Sequence, residues 1–135
     1  MTEEACFDQL LNLARAQPDP QRLLFVFARA ELPDQPTPEQ SERFRAGRGG
    51  ALAPLMCVDK APEDLADFQA LVAESRRAGP PWQVVFAAAL SGAEGQQPPK
   101  VQIDTALEKM VSAVVFGNVG RFAAYTQDGD PIQFS

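Results

Sequence analysis

An apolar strand runs directly into a helix start at Leu52-Ala53-Pro54-Leu55-Met56-Cys57-Val58-Asp59-Lys60-Ala61-Pro62. Pro62 suits the first position of a helix, where its missing N–H is not needed. Pro54 cannot donate to a ladder, so it belongs at the start of the strand or at a sheet edge. Sites in open α/β sheets tend to form where strands end and helices begin. The thiol, carboxylate and amine of Cys57, Asp59 and Lys60 therefore make this junction the first candidate site.

Helix and strand patterns alternate on both sides of this stretch. Apolar stripes at helical spacing predict long helices, and runs that are apolar on both faces predict covered strands. Asp-Gly between two short apolar runs near the C-terminus predicts a hairpin. A capping-box pattern at 37–40 predicts a short surface helix within the long connection 32–50. The long helices are predicted over residues 3–16, 62–78 and 103–116, the strands over 22–28, 51–58 and 82–90, and the hairpin strands over 121–126 and 131–134.

This alternation predicts an α/β or α+β fold in which helices pack on a central sheet. Helix crossovers make neighbouring strands parallel, and the terminal hairpin adds an antiparallel element. We therefore expect a mixed, mostly parallel sheet of about five strands, three long helices packed on it and a C-terminal β-hairpin. The length of 135 residues fits a single domain over residues 1–135.

Composition and charge argue against several classes of function. The chain carries a net charge of −6 and has no histidine. The negative charge argues against binding to nucleic acids or anionic membranes, which favour a basic face. The lack of histidine removes the commonest acid–base group at neutral pH and the commonest metal ligand. No complete metal or cofactor motif is present. Three features predict a cytoplasmic protein with free thiols. They are the polar segment after Met1, the two distant cysteines Cys6 and Cys57, and the lack of an apolar run long enough to cross a membrane.

Cys57 has two interpretations. A cysteine in an apolar strand usually packs in the core, and this pattern favours core packing. The alternative is a reactive thiol, which a helix N-terminus and Lys60 would favour and the acidic residues Asp59, Glu63 and Asp64 would oppose. The chain offers no histidine base and no neighbouring second cysteine.

Two polar groups near the same strand are candidate binding residues. Asp59 and Lys60 form either a site at a strand end or a surface ion pair with Asp59 helping to cap the helix. Gly47-Arg48-Gly49-Gly50 forms either an anion-binding turn clamped by Arg48 or a simple helix stop and loose turn. Its spacing fits neither of the common phosphate-binding loops, which favours the simple turn.

The C-terminal region carries a turn motif and an apolar edge. Asp128-Gly129-Asp130 resembles part of a calcium loop, but the other ligands are missing and a plain hairpin turn is favoured. Ile132 and Phe134 give the hairpin an apolar edge that would allow pairing with another chain. Dimerisation through this hairpin is therefore one hypothesis.

Several blocks of the sequence resemble a family of small bacterial proteins that are often labelled "ribonucleotide reductase subunit alpha". The resemblance covers residues 5–134, and the block from Pro54 to Lys60 is its most specific part. It implies a bacterial cytoplasmic setting. It implies no catalytic residues, because the large subunit of such a reductase is several times longer and needs a radical cysteine and a redox pair. The resembling blocks are 22–28, 31–33, 49–60 and 74–75.

The absence of histidine and of a complete catalytic motif favours a protein-interaction or regulatory domain without enzymatic activity. Its partner would be another protein or a second copy of the chain. One alternative is a thiol-dependent enzyme or redox protein that uses Cys57 with Asp59 and Lys60. Another is a module that binds a small anionic ligand at Gly47 to Gly50.

Overall fold

The computed structural model describes residues 7–31, 38 and 51–132, which form three α-helices and a four-stranded antiparallel sheet. No helix within these residues is long and apolar enough to cross a membrane. In chain order the elements are α1 (Phe7–Arg15), β1 (Gln21–Glu31), β2 (Ala51–Lys60), a 3-10 turn (Pro62–Asp64), α2 (Phe68–Ala78), β3 (Val84–Ser91), α3 (Lys100–Phe116) and β4 (Ala123–Tyr125).

The prediction of a mostly parallel sheet of about five strands is wrong. The described strands lie in the order β2-β1-β3-β4, and every neighbouring pair is antiparallel. The crossover through α2 does make β2 and β3 run in the same direction, but β1 lies between them and pairs with both. Of the expected fifth strand over 131–134, the structure describes Pro131 and Ile132, and Pro131 forms an isolated bridge with Tyr125. The fold is therefore α+β, with three long helices as expected.

The sheet separates two apolar cores, which confirms that β1 is covered on both faces. Leu23, Phe25 and Phe27 belong to the core beneath α1 and α2, whereas Leu24 and Val26 belong to the core beneath α3. Aromatic side chains fill the first core, where the rings of Phe7 and Phe68 and those of Phe27 and Trp82 meet edge to face. Burial on both faces makes β1 the central element of the fold.

Strand β2 lies at the edge of the sheet, as Pro54 allows. Its pairing with β1 shifts by one residue, because Met56 pairs with Phe27 and Pro54 pairs with Ala28. Leu55 is thus the extra residue of a β-bulge. The interpretation of 55–58 as a core strand is wrong, since these side chains are half-buried or, at Cys57, exposed. An apolar run does not distinguish an edge strand from a central one.

The helix predicted over 62–78 is interrupted. After the 3-10 turn the chain is extended, and α2 begins only at Phe68, where the Asp67 carboxylate accepts a hydrogen bond from the Ala70 N–H at 2.8 Å. The guanidinium of Arg15 donates to the Leu65 carbonyl at 2.8 Å and ties α1 to this break. The helix therefore begins six residues later than expected, at the cap that Asp67 provides.

The last helix ends where the sequence predicts and begins three residues earlier, whereas the first strand of the predicted hairpin is shortened to Ala123–Tyr125. Helix α3 ends at Gly117, whose φ of 78° is the left-handed conformation expected of a C-terminal glycine. Asp128-Gly129-Asp130 forms a turn closed by the Thr126 N–H and the Asp130 carbonyl at 2.9 Å. Three predicted features lie wholly or partly outside the described residues. They are Phe134, the short helix at 37–40 apart from Pro38, and the first residues of the N-terminal helix.

Candidate functional site

Asp59 and Lys60 lie in β2 and do not form a common site. Asp59 lies across from Leu24 of the α3-side core, whereas Lys60 lies across from Leu23 of the opposite core. Successive side chains of a strand point to opposite faces, so the carboxylate and the amine are separated by the sheet. The strand reaches two residues further than expected, and this extension is the reason for the separation.

Each of the two charges has a partner from another element. The Nε of Arg22 in β1 donates to the Asp59 carboxylate at 2.7 Å, and the Nζ of Lys60 donates to the Glu74 carboxylate of α2 at 2.6 Å. All four side chains are partly exposed. Such pairs add little stability, but they leave both charges of β2 neutralised within the chain.

Cys57 is exposed and free, so the favoured interpretation of core packing is wrong. Its side chain lies on the α3 face of the sheet, because it pairs with Val26 of that core. It shares this face with Asp59, but Lys60 is on the other face. Among the residues that the structure describes, no group of three or more cysteine, aspartate and glutamate side chains is placed to hold a metal ion.

The predicted anion-binding turn cannot be placed. Gly47, Arg48, Gly49 and Gly50 all lie outside the described residues.

A shallow apolar groove of about 410 Å³ lies between the end of β3 and the first half of α3. Its walls offer one charged group, Lys109, and no carboxylate or thiol. The groove therefore lacks the converging polar groups that catalytic pockets have. It is lined by Leu90, Val101, Gln102, Thr105, Ala106 and Lys109.

The feature that sequence reasoning missed is the outer side of Met56–Lys60, which we call the β2 edge. These five residues pair regularly with β1 on one side, and no described residue pairs with them on the other. An edge strand presents unpaired N–H and C=O groups that accept another strand. Pro54 was the signal in the sequence, since a strand proline favours an edge.

No family model, no curated protein and no solved structure matches this chain. Its function therefore has to be inferred from the arrangement of its own residues.

Exposure of Cys57 predicts rapid thiol labelling of the folded protein. In a Cys6→Ser variant at low concentration, Ellman's reagent should modify Cys57 as completely without denaturant as with it, because the thiol is at the surface of an edge strand. A Cys57→Ser variant gives the contribution of Cys6. Labelling that waits for denaturant would show that Cys57 is covered.

Proposed function

We propose that this protein is an interaction domain that binds an extended segment of a partner protein at the β2 edge. The observation that carries the proposal is the regular stretch Met56–Lys60, which has a strand on one side only among the described residues. Addition of a strand to an open sheet edge is a common mode of peptide recognition. Main-chain hydrogen bonds supply the affinity, and alternate side chains supply the specificity.

The surroundings of the edge suit an extended partner. On one face, Met56 and Val58 are half-buried against the core, and their remaining apolar surface borders the edge. The end of α2 lies close by, since a Cβ at Gly79 would be 2.8 Å from the Met56 sulfur. On the other face, the small side chain of Cys57 leaves room for a neighbouring strand. A bound segment would therefore meet apolar side chains on one face and the exposed Cys57 on the other.

We also propose that the protein is bacterial and cytoplasmic. The sequence resemblance supports both points, and the two distant cysteines support the second. A thiol-dependent activity is the second candidate, favoured by the exposure of Cys57. Asp59 and Lys60 support it poorly, because each is held in an ion pair and Lys60 lies across the sheet. An interaction role needs neither residue to be free.

Photo-crosslinking tests the interaction role. A benzoylphenylalanine in place of Cys57 should give one discrete adduct in living cells, whereas the same residue in place of Val101 should not. Val101 is 71% exposed on α3 and is the matched surface control. Absence of a discrete adduct from position 57, or equal adducts from both positions, would contradict the proposal.

A proline pair separates true edge binding from chance capture. Neighbouring residues of a strand point their N–H groups to opposite sides. Val58→Pro and Asp59→Pro are each combined with the crosslinker at position 57. One of the two prolines removes an N–H that pairs with β1, and the other removes an N–H that points to the open edge. The variant that keeps its melting temperature should lose the adduct. An adduct that persists in that variant would show binding elsewhere.

A further inference from the structure

We infer that the partner at the β2 edge is a second copy of this chain, paired antiparallel about a two-fold axis through Val58. The inference rests on the proposed function, because it names the partner of the same edge. The two-fold arrangement is isologous and closed, so it joins two sheets into one and stops there.

The length of the bulge-free stretch Met56–Lys60 determines how two copies of β2 would align. The bulge at Leu55 interrupts the strand on one side, and β2 ends at Lys60 on the other. An antiparallel copy centred on Val58 aligns all five residues of Met56–Lys60 with the same five residues of the partner. Any other centre leaves part of the stretch unpaired or extends it into the bulge.

The charges of the edge suit a second copy in this register. Asp59 lies opposite the partner's Cys57, and Lys60 lies opposite the partner's Met56, so no two like charges face each other. Asp59 and Lys60 are also neutralised by Arg22 and Glu74 of their own chain. The chain carries a net charge of −6, but the edge itself holds one acid and one base. The edge itself is therefore close to neutral, so it adds little charge repulsion between copies.

The apolar side chains of the edge also match in this register. Val58 faces the partner's Val58, and Met56 faces the methylene stem of the partner's Lys60, which packs well on an apolar neighbour. These contacts lie on the face where Leu55, Met56 and Val58 pack against the α1 and α2 core. Pairing would therefore extend that core from one copy into the next.

The opposite end of the sheet is less suited to pairing than the sequence suggested. Strand β4 has three residues, and Pro131 already bridges to Tyr125 on it. Ile132 is half-buried against the α3-side core rather than free for a partner. Among the described residues, β2 is therefore the longer of the two edges and the one without a further bridge.

Charge substitutions at position 57 test the register, with association measured by sedimentation in reducing buffer. Cys57→Lys faces the partner's Asp59 and should tighten the dimer about fivefold, while Cys57→Asp should weaken it about fivefold, since each change acts twice by symmetry. Val101→Lys and Val101→Asp change the net charge equally on an exposed site and should leave the dimer unchanged. Cys57 is exposed, so the monomer fold should tolerate both charges.

Each outcome decides between the inference and the proposed function. Opposite effects of the two Cys57 variants support the Val58 register. Weakening by both, or values equal to those of the Val101 controls, would overturn it. A wild-type chain that stays monomeric at every concentration would overturn the second copy. If the chain is monomeric, a photo-adduct with a different protein would still support the proposed function. The absence of any photo-adduct would overturn the proposed function too.

Discussion

Replacing Phe25 with alanine should lower the free energy of unfolding by about 3–5 kcal/mol. Phe25 is fully buried in β1, and its ring centroid lies 6.0 Å from that of Phe7. Its removal leaves a cavity where α1 rests on the sheet, and the sheet cannot collapse to fill it without moving strands on both sides. Since small domains have about 5–15 kcal/mol of stability in total, the variant should be close to unfolding.

Urea denaturation measures this effect, with Phe116→Ala as the matched control. Phe116 carries the same side chain but is 78% exposed at the end of α3, so its loss should change stability by less than about 0.5 kcal/mol. Comparable losses in the two variants would mean that Phe25 is not in the core. Phe25 also pairs with Val58, so loosening of the fold in Phe25→Ala should extend to β2.

The fold was predictable where a pattern reports burial directly. The alternation of apolar side chains on both faces of Leu23–Ala28 predicts a covered strand, and this is what separates the two cores. The apolar stripe that predicts a helix over 62–78 is likewise buried, at Leu65, Phe68, Leu71 and Val72. Patterns of this kind depend only on which residues avoid water.

Strand order was not predictable, because it depends on pairing between distant segments. The alternation of strands and helices indicates that β2 and β3 run in the same direction. It does not predict that β1 lies between them and pairs with both. Nor did it report that β4 would have only three residues. Pairing of β1, the strand that is buried on both faces, with both β2 and β3 decided the arrangement.

The structure separates Asp59 from Lys60 because successive side chains of a strand point to opposite faces of the sheet. The sequence predicts that the strand ends at Val58 and that Asp59 and Lys60 follow it, where neighbouring side chains can converge. Because β2 includes both residues, they point to opposite faces. Cys57 was placed in the core because apolar neighbours surround it in sequence, whereas its exposure follows from the edge position of β2.

Replacing Gly92 with alanine should lower the free energy of unfolding by about 3 kcal/mol. A Cβ at this position would lie 1.8 Å from the Gln96 carbonyl oxygen and 3.0 Å from the Pro20 carbonyl oxygen. Both are backbone atoms, so no side-chain rotation relieves the collision. The Gly92 N–H also donates to the Pro20 carbonyl at 2.8 Å, which holds the end of β3 beside the start of β1.

The neighbouring turn supplies the control for Gly92→Ala. Gly95 has a φ of 76° and nothing within 4 Å of its Cβ position, so Gly95→Ala should cost only the left-handed backbone strain of about 1 kcal/mol. Urea midpoints at constant slope would give both values. A smaller loss at Gly92 than at Gly95 would contradict the close approach to Gln96.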